Sequence, residues 1–171
     1  MEQIITKLEA AIRQLDCAIN LYFNEKDAVS IHTLACAAHQ VIHNINRDQN
    51  GPELLFDNVD TRKPGEKVTR QLLHKHYNFF KHADNDPCPN CGVWFDNEIT
   101  DIFLLSAIIG VYYICGSINK LETAFIVYFQ IRNDDFLSQD IVKMVTDDIN
   151  PEFRQVLVGL NKRDYLRSFL E

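Results

Sequence analysis

The sequence predicts an all-α fold, a single-domain antiparallel bundle of about six or seven helices. Three observations carry this. Apolar residues recur at helical spacing almost throughout, with no convincing strand alternation. Capping residues stand ahead of several of the apolar runs. The 171 residues, 46 % hydrophobic and 24 % charged, suffice to close one core, and no repeat or linker divides them.

The first helix is expected over residues 2–23, with Ile5, Leu8, Ile12, Leu15, Ile19 and Tyr22 on one stripe. Asp27 or Ser30 caps a second, running to about residue 46, whose stripe is Ile31, Leu34, Ala35, Ala38, Ile42 and Ile45. The short link between them makes residues 1–46 an antiparallel hairpin. Residues 47–65, with Gly-Pro and Lys-Pro-Gly, form a long loop anchored by Leu54, Leu55, Phe56 and Val59.

Central helices fill residues 66–118. Helix three ends near Ala83, and its broad face is expected to hold Val68, Leu72, His76, Phe79 and Ala83, widened by Leu73 and Phe80. A turn-rich loop over 84–95 carries Cys88 and Cys91. Asp96 or Asn97 then caps an apolar helix reaching about residue 118. The C-terminal helices occupy 119–171. One spans about 120–131, fused through Gly116 or separate, and a short one covers 136–145. Asn150-Pro151 is a start signal, and a break near Gly159 lets Asn161 begin a last piece.

The net charge of −7 argues against nucleic-acid affinity over the whole surface. Locally the sign reverses. Between Thr61 and Ala83, six cations (Arg62, Lys63, Lys67, Arg70, Lys75, Lys81) face one anion, Glu66. An RNA or protein partner is expected to use this 61–83 segment. Residues 99–119 are apolar but hold Asp101, Ser106, two Gly and two Tyr, which reads as a buried central helix, not a membrane span. The charged, amphipathic N-terminus and five cysteines point to a reducing cytoplasmic setting. Cys17, Cys36 and Cys115 read as small hydrophobes inside helical patterns.

Three clusters carry candidate chemistry. His32, His39 and His43 fall within about 40° of one another on helix two. They lie about 120° from the apolar stripe, flanking the core as half-exposed or helix-packing residues. Cys88-Pro89-Asn90-Cys91-Gly92 has the form of a zinc knuckle, a half-site that His82 or His76 would extend. The alternatives are a redox dithiol or two cysteines with no role. Finally, Asn78 and His82 share an edge of helix three, with Lys81 close by and Asp84 following. A carboxylate can orient such a histidine as a base, and a lysine can steady phosphoryl charge. The competing reading is an exposed helix end, where a cation suits the dipole.

The order of these pieces is an amphipathic hairpin, KLEAAIRQLDCAINLYFNEKDAVSIHTLACAAHQVI, then a basic helix ending in YNFFKHAD, then a long apolar helix. It resembles a family of uncharacterised bacterial helical proteins similar in arrangement to the HEPN superfamily. That likeness spans roughly residues 7–118. It implies an all-α bundle, often dimeric, and in many members metal-independent RNase activity using an Arg and a His on one helix. Only His82 carries across, with Asn78 ahead of it. No arginine stands at the matching place: Arg70 is too far upstream, and Lys81 is adjacent to the histidine.

The expectation is therefore a homodimeric binding or regulatory protein without catalysis. The alternative is a metal-independent ribonuclease with His82 as base and Asn78 and Lys81 as transition-state contacts. Arg70, Lys75, His76 and Asp84 are the binding candidates. A second alternative is a zinc-stabilised structural protein, with Cys88 and Cys91 as ligands.

Overall fold

The computed structural model describes residues 3–54, 75–84, 87–133, 137 and 150–171. Among these the chain is helical, with no strand. Helices α1 (Lys7–Phe23) and α2 (Ala28–Asp48) form the expected hairpin. Residues 75–81 form the described part of α3. Then come α4 (Glu98–Cys115), α5 (Lys120–Arg132), α6 (Pro151–Val158) and α7 (Lys162–Leu170). The short helix expected over 136–145 lies almost wholly outside the described residues.

The hairpin is set by caps. Thr6 accepts a hydrogen bond from the Glu9 amide and starts α1 there, so residues 3–6 are not helical, although the sequence predicts helix over them. Ile5 is half-exposed instead of buried. Asp27 accepts from the Ser30 amide at the start of α2.

Burial on α2 departs most from the sequence reading. Ile31, Ala35, Ala38 and Ile42 are buried, but so are His32, Cys36, His39 and His43. Leu34 and Ile45 are only half-buried. The buried arc is therefore centred about 70° round the helix from the apolar stripe. The cause is that α2 has two neighbours, α1 on one side and α4 on the other.

The histidines, expected to flank the core, lie inside it against α4. His32 Nδ1 hydrogen-bonds with Thr100 Oγ1 at 3.0 Å, and its Nε2 meets Cys36 Sγ at 3.4 Å. His39 Nε2 hydrogen-bonds with Ser106 Oγ at 3.1 Å. Each such pair is worth about 1 kcal/mol net, and breaking one strands a buried polar group. Burial, aided by nearby His76, pushes the His32 imidazole down to about 4, so it stays neutral near pH 7.

Gly110 lets α4 approach α2 closely. A Cβ there would stand 2.5 Å from Ile42 Cγ2 and 3.2 Å from Leu54 Cδ1. Leu54 is buried, as its role as a loop anchor requires. α4 stops at Cys115, short of the expected residue 118, because Gly116 takes a left-handed φ of 73°. It is thus not fused to α5, which opens with a capping box between Asn119 and Glu122. Asp96 accepts from the Glu98 amide at the start of α4.

α5 and α7 complete the core with aromatic rings. Tyr165 stacks on Phe23 at 5.6 Å and donates to the Ala124 carbonyl at 2.9 Å. Asn150 caps α6 ahead of Pro151, and Asn161 caps α7 after a break at Gly159, as the sequence indicates. Of the three helical cysteines only Cys36 is buried. Cys17 and Cys115 are exposed, contrary to their reading as core residues.

Candidate functional site

The end of α3 and the loop over 87–95 are held to the bundle by aromatic packing. Phe95 packs edge-on to His32 at 5.0 Å, to His76 at 5.2 Å and to Phe80 at 5.2 Å between centroids. Phe103 of α4 closes the cluster against His32 at 5.5 Å. In the described part of α3 the packed side is His76, Tyr77 and Phe80, of which His76 and Phe80 belong to the expected face; Val68, Leu72 and Leu73 lie outside the described residues. Phe79 is 39 % exposed and Ala83 is exposed.

His76 fixes the loop in a second way. Its Nε2 donates to the Trp94 carbonyl at 2.7 Å. Val93 and Phe95 are half-buried on either side, so Trp94 between them is turned outward and is 98 % exposed. A pinned loop thus presents the chain's single tryptophan to solvent.

On the other flank of α3, an open groove of about 620 Å³ brings Asn78, Phe79, His82, Asp84, Cys88 and Cys91 together. His82 is half-exposed, with Nδ1 3.6 Å from Asp84 Oδ1. That is ion-pair range and too long for a hydrogen bond. Asn78 lies one turn before it and lines the same groove, as its spacing predicts.

Lys81 does not join them. Its Nζ donates to Tyr77 Oη at 2.8 Å and sits 4.9 Å from the centre of that ring. Adjacent residues on a helix differ by about 100°, so Lys81 faces away from the groove that His82 enters. Lys75 is exposed, and Arg70 lies outside the described residues. His76 is committed to Trp94 and the aromatic cluster and is absent from the groove lining.

The cysteine pair forms a turn, with the Cys91 amide donating to the Cys88 carbonyl at 3.3 Å. The Cys91 thiol and the amides of Asn90 and Cys91 hydrogen-bond to Cys88 sulfur and hold its thiol below the ordinary value. Among the described residues, no three His, Cys, Asp or Glu side chains are grouped to hold a metal ion.

Set against family models, curated proteins and solved structures, the chain has no significant match.

A second polar cluster escaped the sequence reading. Tyr22 Oη donates to Asp101 Oδ2 at 3.0 Å, and Lys162 Nζ lies 3.4 Å from the centre of the Tyr22 ring. Burial raises the Asp101 carboxyl, and the Tyr22 hydrogen bond works against that rise. Tyr22 and Lys162 also line a pocket of about 220 Å³ with Glu25, Ile31 and Thr100. The available signal was Asp101 itself, a carboxylate in an apolar helix. α4 is long and apolar enough to cross a membrane by length and composition. In this fold its Phe103–Val111 stretch is buried in the bundle.

Proposed function

We propose that the chain is a non-catalytic helical binding and regulatory module, HEPN-like in arrangement, that works as a homodimer. Its working surface is the end of the bundle formed by α3 and loop 87–95. The observation that carries this reading is the charge of the groove around His82. Asp84 supplies an anion there, and among the described residues no Lys or Arg lines it. Lys81, the nearest cation in sequence, is held on Tyr77. Metal-independent cleavage of RNA develops negative charge on the phosphoryl oxygens, and no described residue of the groove supplies a cation to stabilise it. Trp94, held rigid and exposed, suits docking instead, since tryptophan is prominent among interface anchors. The setting proposed is reducing and cytoplasmic, where Cys88 and Cys91 remain thiols.

The ribonuclease reading keeps one specific observation, a His82–Asp84 pair at 3.6 Å on the same groove as Asn78. Incubating purified protein with single-stranded and hairpin RNA in EDTA, across a range of salt, separates the two. The binding-module reading predicts no cleavage above that of His82→Ala. Cleavage by the wild type that disappears in His82→Ala would establish the nuclease instead.

A further inference from the structure

We propose that Cys88 and Cys91 are half of a zinc site that the same two cysteines of a second copy complete. One ion on a two-fold axis then clasps loop 87–95 of one chain to that of its partner. The assignment rests on the homodimeric reading above and gives it a chemical basis.

Three features of the loop lead there. The first is the shape of the turn. The Cys91 amide donates to the Cys88 carbonyl at 3.3 Å, and this turn sets both cysteines on one groove. Two sulfurs on one tight turn are placed to chelate one tetrahedral ion, and N–H donors to sulfur disperse thiolate charge.

The second is ligand count. A closed zinc site takes four ligands, and the turn supplies two. His82 and Asp84 share the groove, but no three-ligand group is assembled among the described residues. Two turns related by a two-fold axis would supply the four thiolates that a closed site takes.

The third is position. Both cysteines are exposed, as a shared ion requires. Three residues after Cys91, Trp94 stands 98 % exposed on a backbone pinned by His76. Joining two such loops through their cysteine turns removes apolar surface of both from water. On binding, four thiols release four protons to solvent and the zinc ion stays divalent, so no oxidant or reductant is consumed.

The test uses the full chain, reduced and stripped with EDTA, then titrated with Zn²⁺ or with Co²⁺ as a coloured probe. The expected result is one metal per two chains and conversion of monomer to dimer in sedimentation velocity. A cobalt–thiolate charge-transfer band of four-sulfur intensity and a blue shift of Trp94 fluorescence should accompany it. EDTA should reverse all of these. Cys88→Ser and Cys91→Ser should each abolish them without changing the far-ultraviolet circular dichroism of the metal-free chain, whereas His82→Ala should retain them. One metal per monomer that is lost in His82→Ala would overturn the proposal in favour of a site within one chain. Absence of micromolar metal binding would also overturn it, as would a Cys88–Cys91 disulfide as the sole reaction of the pair. A dimer that persists in EDTA would sink the zinc clasp and leave the homodimeric reading standing.

Discussion

Two regions of this molecule carry the residue types that bind metals and move protons, and they do opposite things with them. On α2, His39 and His43 stand one turn apart, a spacing that suits a metal ion, yet they and His32 are all buried. At the end of α3, His82, Cys88 and Cys91 look less regular in sequence but open onto a solvent-filled groove. Spacing along a helix says which side chains can meet. Which element covers them decides whether they are buried in the fold or stand at its surface.

The largest effect should come from opening the buried region. His32→Ala removes a ring packed among Phe95, Phe103 and His76 and strands Thr100 Oγ1. It should cost about 3 kcal/mol in urea unfolding. His82→Ala in the exposed region should stay within about 0.5 kcal/mol of wild type.

Acid should sharpen the same contrast. Below about pH 6.5 the unfolded chain protonates His32 while the folded chain refuses the proton until about pH 4. Stability from this group is therefore lost on acidification across that window, by up to about 3 kcal/mol. Glu122 works the other way. Burial raises its carboxyl to about 7, against a backbone hydrogen bond that lowers it, so its stabilising contribution is lost as pH rises from 4.5 toward 7. The two slopes oppose each other between about pH 4.5 and 6.5. Glu122→Gln keeps a side-chain acceptor for the Asn119 amide and removes the carboxyl titration. Its urea midpoint should then fall steadily as pH drops through that interval, while the wild type stays nearly flat.

A smaller loss is expected where α4 meets α2. Gly110→Ala puts a methyl 2.5 Å from Ile42 Cγ2, and forcing the helices apart should cost about 1–2 kcal/mol by thermal unfolding.

The hairpin, the start of α6 and the break at Gly159 were legible because their signals are local. Asp27, Asn150-Pro151 and Asn161 each act within one turn of themselves. The buried face of α2 was not legible. The partners that draw His32 and His39 inward, Thr100 and Ser106, arrive more than sixty residues later in the chain. The Asn119–Glu122 capping box was present in the sequence, but the apolar run on either side masked the boundary it marks. At the site, Asn78, His82 and the cysteine pair were legible from spacing, whereas Lys81, expected beside His82, is held instead by Tyr77 at i−4. Trp94 was not. Nothing local marks which way a lone aromatic in a polar loop turns, and only the half-burial of Val93 and Phe95 and the hold of His76 on its carbonyl turn it outward.

The central claim is that loop 87–95 presents a docking surface built around Trp94. Sedimentation velocity of wild type and Trp94→Ser, side by side in reducing buffer with zinc, tests it most directly. The wild type is expected to sediment as a dimer, and the variant to shift to monomer with an unchanged melting temperature. A variant that dimerises as tightly as the wild type, or a wild type that stays monomeric at high concentration, would contradict it.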